Sequence, residues 1–155
     1  MKIDEFQLLL RPVTDLVSAR AVDAALAEEL NRRFPPGGDV FDMIENACHD
    51  AIAEGWMCAQ GADGRRFGRV IEPSRQTGRL SVDVVDLIDI VGPHHRHPTG
   101  EVCMIMPVTE NARFDGATRG WCVNEPGSAH RPTATNGEVL VLYMLPEGNI
   151  EFTGE

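Results

Sequence analysis

The sequence predicts a mainly β protein, a barrel or sandwich preceded by a helical segment. Three observations carry that prediction. Residues 1–55 place apolar side chains at four-residue spacing; residues 56–155 switch to short β-favouring runs broken by Gly, Pro, Asn and Asp; no helix-length periodic stretch separates those runs. Many short strands without intervening helices describe a sheet closed or folded onto itself. At 155 residues, 43% hydrophobic and 25% charged, the chain 1–155 reads as a single globular domain that buries about two-thirds of its unfolded surface. The helices of 1–55 are expected to cap the barrel of 56–155 or to pair two copies.

The elements follow in order. "EFQLLLRPV" is an apolar turn or two that Pro12, lacking an N–H, interrupts. From Ser18, "SARAVDAALAEELNRRF" aligns Val22, Leu26, Leu30 and Phe34 on one stripe with Ser18 as N-cap, and "PPGG" ends it. Asp39 opens a third helix with Val40, Ile44, Ala47 and Ala51 or Ile52 inward and Gly55 as its C-cap. Strands are expected near 56–59, 67–72, 80–91, 101–108, 112–114, 120–124, 128–132, 138–145 and 149–152, with "GADG" and "PEGN" as turns. Asp83, Asp86 and Asp89 recur every three residues, which suits no single strand face; a bulge and a solvated edge are expected there. Met104 and Met106 alternate with Cys103 and Ile105, and both pairs read as wall and core.

Bulk charge excludes several partners. The formal net charge is −10 and the basic residues are scattered, so nucleic acid and anionic membrane surfaces are unfavourable partners. No apolar run approaches the ~20 residues of a bilayer span. The N-terminus lacks the apolar core and small-residue cleavage site of an export signal, so the expected location is cytoplasmic. Cys48, Cys58, Cys103 and Cys122 form no CxxC pair and read as buried thiols in a reducing compartment. Neither GxGxxG nor GxxxxGK[ST] occurs, so no nucleotide or flavin is expected.

The chemistry concentrates in "GPHHRHPTGEVCMIMPV". Strand alternation sends His95 and His97 to one side and His94 and Arg96 to the other. Pro98-Thr99-Gly100 makes a turn, and if the strands on either side of it pair, Glu101 returns to the same interior. Two imidazoles and a carboxylate on one concave surface are a divalent-metal set, and His130 in "PGSAH" supplies a fourth donor. His49 lies among charged residues and reads as a surface histidine; His94 reads as a turn residue, with the choice between His94 and His95 as ligand left open. Zn, Fe, Mn and Ni all accept such a donor set.

His95-x-His97-x3-Glu101 resembles the first cupin motif, and Gly120-x5-Pro126-Gly127-x2-His130 resembles the second. The second lacks the usual residue between Pro and Gly, and Ala134 stands where an Asn is expected. The resemblance implies a cupin-like β-barrel of the double-stranded β-helix or jelly-roll type, and a homodimer by analogy. Segments spread over nearly the whole chain, among them "EGWMC", "RFGRVI", "SVDVVD", "GPHHRHPTGE", "FDG", "PGSAH" and "VLYMLPEGNIEFTG", look like the 4-hydroxylaminobenzoate lyase family of bacterial nitrobenzoate breakdown.

That second resemblance implies conversion of 4-hydroxylaminobenzoate to 3,4-dihydroxybenzoate (protocatechuate) and ammonia. The N–O bond already stores the oxidising equivalents, so the reaction needs heterolysis of that bond, water at the ring and loss of ammonia. A divalent ion on His95, His97, Glu101 and His130 would serve as Lewis acid. Glu101 is either a plain ligand or a proton shuttle, and in a metal-free variant Glu101 and His130 would do acid–base work directly. The small aromatic substrate carries a carboxylate, for which Arg69 and Arg131 are candidates; Arg131 follows an inward histidine and points outward, which favours Arg69. Tyr143 offers an inward hydroxyl or a plain core ring. The alternatives with the same ligands are a cupin dioxygenase or isomerase acting on a small aromatic or sugar, and a non-catalytic small-molecule-binding cupin.

Overall fold

The computed structural model describes residues 1–155. Three helices come first, α1 (Ile3–Ser18), α2 (Ala24–Arg33) and α3 (Asp39–Glu54). Eleven strands follow: β1 (Gln60–Ala62), β2 (Arg65–Ile71), β3 (Leu80–Ile88), β4 (His95–His97), β5 (Glu101–Pro107), β6 (Arg113–Phe114), β7 (Gly120–Asn124), β8 (Ser128–His130), β9 (Ala134–Thr135), β10 (Glu138–Pro146) and β11 (Glu151–Phe152). The change from helix to strand falls where the sequence texture changes, although 56–59 is irregular and the first strand starts at Gln60.

The helical segment departs from expectation in two places. Pro12 does not interrupt α1, which runs straight through it. The missing N–H would have served the carbonyl of Leu8, a residue on the exposed side of the helix. Burial of Phe6, Leu10, Val13, Leu16 and Val17 outweighs that single bond. Ser18 ends α1 rather than capping α2; the cap is Asp23, whose side chain accepts from the Leu26 N–H at 3.0 Å. α3 matches its prediction, closing on Gly55 at φ 89°.

The strands form a six-stranded antiparallel sheet in the order β1-β2-β3-β10-β5-β7, a three-stranded sheet β11-β4-β8 and a two-stranded sheet β6-β9. The jelly-roll type of barrel thus takes an open form: the large sheet faces the two small ones, and no continuous ladder encircles them. Helices cover the other side of the large sheet. There Leu26, Leu30, Phe41 and Ile44 join Val82, Val84, Met104, Leu142 and Met144 in one apolar cluster. Trp121 ties α2 to β7: its indole N–H donates to the Phe34 carbonyl at 2.8 Å, and Asn31 bonds its backbone N–H and C=O. The helices cap the sheet, as the sequence suggested.

The aspartate run is corrected. β3 is an interior strand whose register with β10 is unbroken over nine residues, and the bulge lies in β2 between Arg69 and Ile71. Asp83 is buried and paired with Arg69 Nε at 3.1 Å. Asp86 lies on the opposite face, and Asp89 (φ 42°) leaves the strand to accept the Gly137 N–H at 3.0 Å.

Candidate metal centre

β4 carries the burial pattern in–out–in, with His95 and His97 buried around an exposed Arg96. Its partner β8 places His130 directly opposite His95, and opposed residues of an antiparallel pair share a face. His130 therefore joins the pair from the same sheet. Glu101 arrives differently from expectation: β4 and β5 do not pair but belong to facing sheets. The turn between them crosses from one sheet to the other, and Gly100 makes it at φ +87°, where a Cβ would stand 2.7 Å from Val22 Cγ1. Glu101 points back across the gap from the large sheet.

The four side chains converge. The Nε2 atoms of His95, His97 and His130 lie 3.0 Å (95 to 97), 3.1 Å (97 to 130) and 2.9 Å (130 to 95) apart. Glu101 Oε1 is 3.3 Å from His97 Nε2 and 3.9 Å from His130 Nε2. His95, His97 and Glu101 are buried, while His130 borders the opening.

Proton bookkeeping argues for a cation at this point. His95 Nδ1 lies 3.1 Å from the Pro93 carbonyl and His130 Nδ1 lies 2.7 Å from Asp115 Oδ2. Both partners accept only, so the proton of each ring sits on Nδ1 and the Nε2 lone pairs face inward. Converging lone pairs beside a carboxylate repel unless a positive charge stands among them. Donors ~2.1 Å from one divalent ion and at right angles lie ~3.0 Å apart, which matches the imidazole spacing. The donor set His95, His97, Glu101 and His130 fits a first-row divalent ion.

The electrostatics agree. Burial, and then the neighbouring rings, lower the His95 pKa to about 4 and the His97 pKa to about 3, so both are neutral at physiological pH. At His130 burial also lowers, but the Asp115 hydrogen bond and the charges of Glu101 and Asp115 outweigh it and raise the pKa. Burial raises Glu101, opposed by donors: Cys103 Sγ at 3.1 Å and Asn124 Nδ2 at 2.7 Å, both to Oε1.

Beside the centre opens a small cavity of about 100 Å³. Phe67, Val85, Leu87, Phe114 and Phe152 form its apolar wall, with His95, Glu101, His130 and Tyr143 also on the lining. Burial, and then nearby negative groups, push the Tyr143 hydroxyl up, so it is a protonated donor at neutral pH. Arg69 is not on this lining. It is held by Asp83, and its Nη2 donates to the Gly148 carbonyl at 3.2 Å; the arginine on the wall is Arg65. His94 turns away to bond Thr153, while His95 is the ring that meets His97 and His130; His49 is exposed on α3.

Three contributors were missed in the sequence. Asp115, from "FDG", orients His130; Asn124 stands opposite Glu101 in the β5–β7 register; Cys103 is a hydrogen-bond donor and not only wall. Strand alternation from Glu101 signals Cys103, but the register that signals Asn124 needs the β5–β7 pairing.

Comparison with known proteins gives two kinds of likeness. Residues 9–152 match the family model described as PnbB, 4-hydroxylaminobenzoate lyase. A 4-hydroxylaminobenzoate lyase of Nocardioides sp. (strain LMS-CY) is 28% identical over 151 residues, 91% of this chain and 89% of that one. One from Pseudomonas putida is 28% identical over 153 residues, covering 88% and 87%. Among solved structures, an RmlC-like cupin protein from Ralstonia eutropha superposes with TM-score 0.42 at 11% identity over 57% of this chain and 59% of that one. DMSP lyase DddQ from Ruegeria pomeroyi gives 0.41 at 18% identity, covering 75% and 70%.

Proposed function

Because the chain belongs to the 4-hydroxylaminobenzoate lyase family, we propose that it converts 4-hydroxylaminobenzoate to protocatechuate and ammonia in a metal-assisted reaction. The balance is simple: substrate plus one water gives the dihydroxybenzoate plus one ammonia. The N–O bond is the internal oxidant, so the carbon gains oxygen while the nitrogen is reduced, and no dioxygen or redox cofactor is consumed.

One observation carries this reading, the convergence of three imidazole Nε2 atoms and a buried carboxylate on a single point beside an apolar aromatic cavity. A divalent ion on His95, His97, Glu101 and His130 supplies Lewis acidity toward an oxygen donor. The protein residues do the rest. Phe67, Phe114 and Phe152 are suited to hold the benzene ring and exclude bulk water. Tyr143 is a protonated hydroxyl able to donate to a substrate oxygen or nitrogen. Glu101, whose Oε1 accepts from Cys103 Sγ and Asn124 Nδ2, is held in place as the carboxylate ligand. Asp115 keeps the His130 proton on Nδ1.

The test is a turnover assay under strict anaerobiosis with metal-analysed protein. The expected result is ammonia and protocatechuate in equal amounts, lost on chelation and restored by one of Zn, Fe, Mn or Ni. No ammonia with any of these ions overturns the activity; undiminished turnover in chelated protein overturns the metal dependence.

A further inference from the structure

β2 carries three arginines, and their environments differ. Arg66 pairs with Asp63 at 2.9 Å. Arg69 pairs with Asp83 at 3.1 Å and also faces Glu72. Arg65 has no carboxylate within ion-pair distance. Its guanidinium instead lies over the ring of Phe67, two residues along the same strand face, 4.7 Å from the centroid. Both Arg65 and Phe67 line the cavity that holds His95, Glu101 and His130.

Arg65 is the one arginine on the lining of this cavity, in a chain of net charge −10. Its position is also defined. Arg65 opens β2 after the Asp63-Gly64 turn, opposite Leu87, and Leu87 lies opposite Val139 near the start of β10. Glu101 starts β5 alongside the other end of β10, just before the Val102–Met144 pair. Along the cavity, therefore, one cation stands at one end and the histidine–glutamate centre toward the other, with Phe67, Val85 and Leu87 between. Such an arrangement complements a flat apolar ring with an anion at one end and the reacting group at the opposite end. The guanidinium offers a planar fork of donors, which matches a carboxylate in a bidentate pair.

We propose that Arg65 binds the carboxylate of a para-substituted aromatic acid and so selects the substrate and sets its direction in the cavity. This assignment rests on the lyase reading for the identity of the reacting group, but its ligand chemistry is tested separately. The probe is 4-hydroxybenzoate, which has the ring and carboxylate but no N–O bond, titrated calorimetrically against metal-loaded protein, with 4-hydroxybenzamide as the uncharged match.

Arg65→Met is expected to weaken 4-hydroxybenzoate by about 10–100-fold, the effect of losing a charged hydrogen-bonded pair. Arg65→Lys should recover part of the loss, Arg66→Met none of it being lost, and 4-hydroxybenzamide should bind alike to all. Equal binding of 4-hydroxybenzoate by wild type and Arg65→Met overturns the proposal, and so does an equal loss for the amide, which would mark a structural role. With 4-hydroxylaminobenzoate the expected change in Arg65→Met is a raised KM with a smaller change in kcat. If no ammonia is released by wild type yet Arg65-dependent binding persists, the lyase reading fails and the aromatic-acid site stands. If ammonia is released with KM unchanged in Arg65→Met, the lyase reading stands and this assignment falls.

Discussion

The large sheet sends alternate residues of the same strands to two buried faces, and the two faces differ in chemistry. Toward the helices, β3, β5 and β10 present Val82, Val84, Met104, Leu142 and Met144. Toward the small sheets the same strands present Asp83, Glu101, Cys103 and Tyr143. Burial on the first face is apolar contact and stabilises the fold. On the second it desolvates ionisable groups, which costs stability and shifts their pKa values. One residue of chain separates the two, so adjacent positions answer different questions.

The sharpest way to break this division is a pair of alanine variants. His97→Ala is expected to lose bound metal and all turnover while the metal-free protein melts within a few degrees of wild type, because an imidazole whose buried Nδ1 has no partner leaves with it. Met104→Ala, fully buried against the helices, is expected to cost ~2–5 kcal/mol, a fall in Tm of roughly 4–20 °C for a domain of this size, with turnover per folded molecule retained. Elemental analysis, calorimetry and the ammonia assay read both. Were His97→Ala to unfold the chain, the chemical face would be structural after all.

A smaller effect is expected at Asp115, which touches no substrate and acts through His130 Nδ1. Asp115→Asn should weaken metal binding by about 10–100-fold in chelator competition, without emptying the site at saturating metal. An unchanged affinity would show that the Nδ1 partner does not govern the ring.

Which parts of this were legible in the sequence follows from the range of the forces involved. The in–out–in pattern of His95-Arg96-His97 is local alternation, and it places both rings correctly. Gly55 and the third helix are likewise local. The path of Glu101 was not, since a turn at Gly100 looks the same whether its strands pair or cross between sheets; the sheet order that decides it depends on β10 pairing with both β3 and β5. Arg69 was preferred to Arg131 by strand alternation, but its ion pair with Asp83 joins residues 14 apart, and nothing along the chain announces it. Pro12 shows the converse, a strong local breaker overruled by tertiary burial of α1.

Acid should expose the histidine face in the metal-free protein. The folded pKa values of His95 and His97 lie below the ordinary 6.5, at about 4 and about 3. The stability linked to these groups is therefore present above pH 6.5 and is lost as pH falls toward those values, because the unfolded chain takes up protons first. His130 has the opposite sign: its raised folded pKa contributes below 6.5 and fades as pH rises through it. At pH 5, unfolding of His97→Ala should take up about one proton fewer than wild type, measured from the pH dependence of urea midpoints. Equal proton uptake would mean that His97 is not held neutral.

The smallest expected effect lies on the helix side, where Asp86 shares a face with Glu138 and Arg66. Asp86 shares the face of Val82 and Val84. Burial, and then the adjacent Glu138 carboxyl, raise its pKa to about 7. A folded pKa above the ordinary carboxylate value means that its favourable contribution is present below about pH 3.8 and disappears as pH rises through 7. Above that, two like charges share a half-buried site, and Asp86 Oδ1 has no hydrogen-bond partner there. Asp86→Asn should therefore leave stability near wild type below about pH 4 and raise it increasingly up to pH 8, a gain of a few degrees in Tm there with turnover unaltered. The two faces would then respond to pH in opposite directions, the histidine face weakening in acid and the helix face in alkali. If Asp86→Asn gained nothing at pH 8, the carboxylate pair would be fully solvated and the helix face apolar in name only.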